Sequence, residues 1–114
     1  MGITKYKVVI ARSGKRDIQA MKKYILDNFK YRELAENFSR KMKKAMKTLD
    51  VFPGSHSSTG FEYRGYIIYL KSHNSYLLFY VVNEPQKTIT VLRVMQDGMN
   101  WQFIIKRWLG EVSR

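Results

Sequence analysis

With 114 residues, 45% of them hydrophobic and 26% charged, the chain has the balance of a soluble globular domain and the length to bury roughly two thirds of its unfolded surface. It has no cysteine, which excludes disulfides, thiolate metal sites and a cysteine nucleophile and makes a reducing cytoplasm the expected setting. Its 21 Lys and Arg against 9 Asp and Glu give +12, an excess that suits nucleic acid, an acidic protein or an anionic membrane surface, unless it is simply a basic solvated exterior.

A single domain over residues 1–114 is expected. The longest unbroken apolar run, Tyr76 to Val82, is far short of the ~20 residues that span a bilayer, and the N-terminus has no long apolar segment, so neither a transmembrane helix nor a signal peptide is expected. Lys5 to Ala11, rich in β-formers and stopped by Ser13-Gly14, predicts a short first strand. Ile18, Met21, Ile25 and Phe29 then recur at helical spacing, with Ser13 placed to cap the helix. After a break at Asn28 to Arg32, Leu34, Ala35, Phe38, Met42, Ala45, Met46 and Leu49 form a second helical stripe, closed by Pro53-Gly54. Two helices so closely joined predict an antiparallel hairpin whose apolar faces need a sheet to cover them. Residues 15–47 hold eleven cations against four acids, a surplus of seven and more than half of the net charge.

Gly54 to Gly60 reads as a polar loop. Beyond it the period becomes two: Tyr63 to Leu70, Tyr76 to Val82 and Thr88 to Met95 predict an antiparallel meander with turns at Ser72-His73-Asn74 and Asn83-Glu84-Pro85. Tyr76 to Val82, apolar on both faces, is expected at the centre. Asn100 is placed to cap a last helix carrying Trp101, Ile104, Ile105, Trp108 and Val112 on one face.

Chemistry has few handholds. His56 and His73 lack partners at ligand spacing, so no metal site is expected; there is also no phosphate loop, nucleophile elbow or carboxylate pair, and no cofactor is expected. One set merits a catalytic reading, because RNA can be cleaved without metal by a base, cations on the phosphate and an acid at the leaving oxygen. Lys71, His73, Arg64 and Arg93 with Tyr66, Tyr69 and Tyr80 fit those roles on one sheet face. Equally, strand tyrosines fill cores, and a strand arginine commonly pairs with a carboxylate. In the second helix, Arg40, Lys41, Lys43, Lys44 and Lys47 form a charged run that is either solvated or a docking face for an anion, whereas Met42 and Met46 belong to the apolar stripe.

The order of elements resembles the RelE/ParE superfamily of bacterial type II toxins over nearly the whole chain. The likeness rests on Tyr6 to Ile10, Asp17 to Ile25 and Ala35 to Pro53. It also rests on Ser75 to Val82 followed by Ile89 to Met95 and then Met99-Asn100-Trp101, similar to the ParE-branch pattern of a strand ending Phe-Tyr, a strand ending Arg-Val, and a Met-Asn step into the last helix. The resemblance implies an α+β fold and a growth-arresting toxin neutralised by an acidic antitoxin that folds over the seam between hairpin and sheet. Gln96 stands where many ParE-like sequences carry histidine. Trp101 or Phe103 stands where RelE-like relatives, which cut messenger RNA on the ribosome, carry a terminal tyrosine. The resemblance therefore favours a non-enzymatic poison of DNA gyrase, with Arg40, Lys41, Lys43, Lys44, Lys47, Trp101 and Trp108 as partner-binding candidates. The alternative is a ribosome-dependent endoribonuclease acting through Lys71, His73, Arg93 and Arg64. Neither reading involves a membrane or a small-molecule cofactor.

Overall fold

The computed structural model describes residues 5–29, 31–50 and 57–113. In chain order these form Lys7–Ile10 (β1), Arg12–Phe29 (α1), Arg32–Lys47 (α2) running into a 3-10 turn at Thr48–Asp50, Ser57–Tyr63 (β2), Tyr66–His73 (β3), Tyr76–Asn83 (β4), Thr88–Gln96 (β5) and Trp101–Val112 (α3). The strands make one sheet of order β1-β5-β4-β3-β2, in which β2 to β5 run antiparallel and β1 adds parallel to β5. The α+β arrangement is the expected one, and β4 is the middle strand.

Both faces of β4 are covered, as its unbroken apolar run requires. Leu78 and Tyr80 join Ile89, Val91 and Val94 under Phe38, Met42, Ala45, Met46 and Leu49 of the α2 segment. Leu77, Phe79 and Val81 face the other way, toward Ile105, Trp101 and Trp108 of α3. The α2 stripe read from sequence is buried except for Leu34, which stays exposed. Asn100 caps α3 by accepting from the Phe103 N–H at 3.3 Å, and Val112 at the far end of that helix is exposed rather than packed.

Several boundaries differ from the sequence reading. Ser57 to Gly60, expected in a loop, begins the edge strand β2, and the Tyr63–Leu70 strand is divided: Tyr63 closes β2, and Tyr66 opens β3. The turn between them is Arg64-Gly65, both at positive φ (52° and 87°), the geometry of a tight hairpin that matches strand twist. Period two fails in β2 because Thr59, Gly60 and Phe61 bulge opposite Ile68 between two regular pairs. His73 lies in β3, paired with Tyr76, and the turn begins at Asn74, φ 55°. Ser13 does not cap α1, which starts at Arg12; its hydroxyl instead donates to the Leu92 carbonyl at 2.6 Å. Pro53-Gly54 and His56 lie outside the described residues.

Candidate functional site

Strand β5 outruns β1, whose pairing stops at Val91, so the edge of β5 from Leu92 onward has no neighbouring strand. Side chains of α1 take that strand's place. The Ser13 hydroxyl donates to the Leu92 carbonyl, and an Asp17 carboxylate oxygen accepts from the Val94 N–H at 2.9 Å. The helix approaches β5 closely enough that a Cβ on Gly14 would meet the Val91 carbonyl oxygen and Ile10 Cγ2 at 3.0 Å each.

A bulge decides where Arg93 goes. Phe79 pairs with Arg93 but Tyr80 pairs with Val91, leaving Leu92 without an opposite residue. The extra residue turns Arg93 out of the alternation that Ile89 and Val91 set and onto the α3 side, the re-aiming that bulges produce. Its guanidinium donates from Nε and from one terminal nitrogen to the two Asp17 oxygens, at 2.7 and 3.0 Å, with both side chains largely buried. The same guanidinium lies over the Trp108 ring, 5.5 Å from its centroid. Trp108 stacks on Tyr63 (5.5 Å, 12° between planes), and Arg64 covers Tyr63. Arg93 thus ties α1, β5 and α3 together.

The four residues of the catalytic set do not meet in one place. Lys71 pairs across β3–β4 with Leu78 and His73 with Tyr76, which puts both on the α2 side of the sheet. Lys71 Nζ points at the Thr48 carbonyl at 3.4 Å, and burial pushes its ammonium below the ordinary lysine value. Arg93 and Arg64 bracket the Tyr63–Trp108 stack on the α3 side. Tyr69 and Tyr80 stack on each other at 5.8 Å, Tyr80 fully buried, whereas Tyr66 is exposed. Among the described residues no group of three His, Asp or Glu is placed to hold a metal ion.

The partner-binding candidates also divide. Arg40, Lys41, Lys43, Lys44 and Lys47 are all exposed on α2. Trp101 and Trp108 are half-buried and hold α3 to the sheet, Trp101 against Phe79 and Phe61.

A concave feature lies where the helical hairpin meets the sheet. An open groove of about 570 Å³ runs between α1, the end of β5 and the start of α3, and its lining includes Met21, Tyr24, Ile25, Phe29, Phe38, Tyr76, Met99 and Ile104, with Asp17 and Arg93 also contributing. Tyr76 packs edge-to-face on Phe38 at 5.7 Å, and burial raises its phenol above the ordinary tyrosine value. Tyr24 is 60% exposed and Phe29 50%, although both belong to or flank the apolar stripe of α1. Helical spacing puts Ile25 and Phe29 on the apolar stripe of α1; Ile25 is half-buried against the core, whereas Phe29 stays exposed.

A profile of the ParE toxin of type II toxin–antitoxin systems matches residues 8–101. The chain belongs to the ParE toxin family. That places it among the toxins of type II modules and within the RelE/ParE superfamily, on the branch that the Phe-Tyr, Arg-Val and Met-Asn motifs pointed to. No curated protein sequence matches it. Solved structures share the fold. The chromosomal ParDE system of P. aeruginosa superposes with a TM-score of 0.61 at 15% identity, over 82% of this chain and 98% of that one. The RelBE2 toxin–antitoxin complex of Mycobacterium tuberculosis gives 0.56 at 15% identity (86% and 98%), and the archaeal RelE–RelB complex of Pyrococcus horikoshii 0.52 at 18% (82% and 97%). In this ParE-family chain no helix of the described residues is long and apolar enough to cross a membrane.

Proposed function

We propose that this ParE-family chain acts in the cytoplasm as a single-domain inhibitor of DNA gyrase, held inactive by an acidic antitoxin seated in the α1/β5/α3 groove. The observation that carries the reading is the groove itself. A helix with its apolar stripe half uncovered beside a concave wall offers the burial that a folding peptide needs, and exposed aromatics are the residues that anchor such interfaces. The +12 charge favours an acidic occupant. Antitoxin complexes of the RelBE and ParDE type are known for proteins of this fold.

Gyrase rather than RNA is supported by the state of Arg93, whose guanidinium is engaged by Asp17 and Trp108 and is on the opposite side of the sheet from Lys71 and His73. The endoribonuclease alternative keeps one point in its favour: Lys71, its charge disfavoured by burial, shares a face with His73. The deciding experiment incubates the purified chain with gyrase and supercoiled plasmid while messages from induced cells are mapped by primer extension. Stabilised cleavage complexes with intact messages are expected. Cut messages with unaffected gyrase would replace this reading by the alternative.

A further inference from the structure

Arg40, Lys43, Lys44 and Lys47 recur at three- and four-residue spacing, so they share one face of α2, opposite the buried stripe of Phe38, Met42, Ala45 and Met46. Glu33 and Glu36 sit before this ridge, and α2 has no acid within or after it. Among the described residues, none of the ion pairs involves these four cations. Arg40 makes one side-chain hydrogen bond, to the neutral Asn37 amide oxygen.

Helix stability does not account for the ridge. Lys44 and Lys47 near the C-terminus complement the macrodipole. Arg40–Lys44 and Lys43–Lys47, however, are like-charge pairs one turn apart, and Arg40–Lys43 and Lys44–Lys47 crowd in the same way, which weakens a helix. Nor does the ridge suit a folding antitoxin, because the exposed residues beside its cations, Glu36, Asn37 and Lys41, are polar, and none of the four lines the apolar groove. Among the described residues of α2, none on this face offers a base an aromatic ring to stack on, as single-stranded nucleic acid prefers. What the ridge matches is an evenly spaced polyanion held by charge alone. From Arg40 to Lys47 the helix rises about 10 Å, a length of duplex axis that carries about six phosphate charges.

We infer that the Arg40–Lys47 ridge of α2 is a sequence-independent docking site for the phosphate backbone of double-stranded DNA. It is separate from the groove and can be occupied whether or not the groove is filled, and it does not depend on gyrase being the target.

The test titrates the full chain into a labelled 20-base-pair DNA duplex of arbitrary sequence at several salt concentrations. If the four cations each displace a counterion, log affinity falls with log salt at a slope of about −3.6. The variant R40Q/K43Q/K44Q/K47Q is expected to bind at least tenfold more weakly at about 50 mM salt with a slope approaching zero, and to melt no lower than the parent, since repulsion has been relieved. K15Q/R16Q/K22Q/K106Q, which removes the same charge from exposed positions on α1 and α3, is expected to stay within threefold of the parent. Equal losses in the two variants would show a general charge effect and overturn the assignment. So would tighter binding of an RNA duplex than of DNA, or ridge-dependent binding confined to a polyglutamate peptide.

Discussion

Removing the Asp17 carboxylate should cost this protein more than any other single change to a charged side chain among the described residues. Asp17→Ala loses three hydrogen bonds at once, two from the Arg93 guanidinium and one from the Val94 N–H, and leaves that guanidinium largely buried with no counter-charge. Hydrogen bonds to charged groups contribute roughly 1.5–3 kcal/mol each, but the stranded arginine relaxes toward solvent, so a net loss of about 3 kcal/mol is reasonable. At roughly 2.1 cal/mol/K of unfolding entropy per residue, 114 residues lose about 4 °C of Tm per kcal/mol, hence about 12 °C. Asp17→Asn, which retains an oxygen for Val94, should lose about half as much. Thermal unfolding of Asp17→Ala, Arg93→Ala and the double variant gives the coupling directly. A coupling below about 0.5 kcal/mol, or an Arg93→Ala protein that melts within 2 °C of the parent, would refute the view of Arg93 as a clamp and return it to the pool of free cations.

Gly14→Ala gains helix propensity, about 1 kcal/mol, yet brings a Cβ against the Val91 carbonyl oxygen, a backbone atom already fixed in the sheet. A net loss of about 1–2 kcal/mol is expected, so a rise in Tm on calorimetry would contradict the close approach. Glu84 accepts from Lys87 and from the Tyr6 hydroxyl, and those bonds, Lys87 first, hold its carboxyl below the ordinary range. Its stabilising effect is therefore full above the unfolded-state value and disappears as pH falls through the lower folded one; the Tm gap between parent and Glu84→Gln should close over that acid window. Lys71 has the opposite history, its folded value lowered by burial, so the cost of its charge is present at neutral pH and relieved as pH climbs toward the unfolded value. Stability of Lys71→Met relative to the parent should accordingly decline through the alkaline range, as denaturant titrations at stepped pH would show. At the groove, Tyr24→Glu should leave Tm unchanged within about 2 °C and weaken antitoxin binding by at least about 30-fold, the size of a lost aromatic anchor. Unaltered affinity in calorimetry would move the antitoxin elsewhere.

The elements most visible in the sequence are those where burial follows a fixed period. The α2 stripe and the double-faced β4 are buried as the spacing demands, and the Asn100 cap acts within three residues of itself. What escaped is non-local or irregular. The β2 strand hides behind a bulge and an Arg-Gly turn, neither of which alternates. Ser13 has the composition of a helix cap but is used 79 residues away, and the Asp17–Arg93 pair spans 76 residues with no local trace. The catalytic quartet divides for two non-periodic reasons: the bulge at Leu92 shifts Arg93 to the α3 side, and Arg64 lies in the β2–β3 turn beside Tyr63. The seam between hairpin and sheet was expected from sequence, but not the exposure of Tyr24 and Phe29 along it, because a helical stripe reports which side of a helix is apolar, not how much sheet lies beneath it.

The way α1 is attached explains why that stripe can be left open. Gly14 is its buried residue among those described, and its firm attachments, the Ser13 hydroxyl, the close Gly14 backbone and the Asp17 carboxylate, all fall within its first six positions. A helix held by burial along its length would need Tyr24, Ile25 and Phe29 under the sheet. One pinned at its N-terminal end by polar bonds to the bare edge of β5 needs them only in part, and α2 supports the rest. Stability and recognition are thereby assigned to different stretches of the same helix. Substitutions at Ser13, Gly14 or Asp17 should act first on stability, whereas those at Tyr24 or Phe29 should alter what the groove binds while the fold persists. The clamp also reaches Trp108, so α3, the groove's other wall, is set by the same ion pair that fixes α1. A partner entering between the two helices meets walls whose spacing Asp17 and Arg93 have already determined.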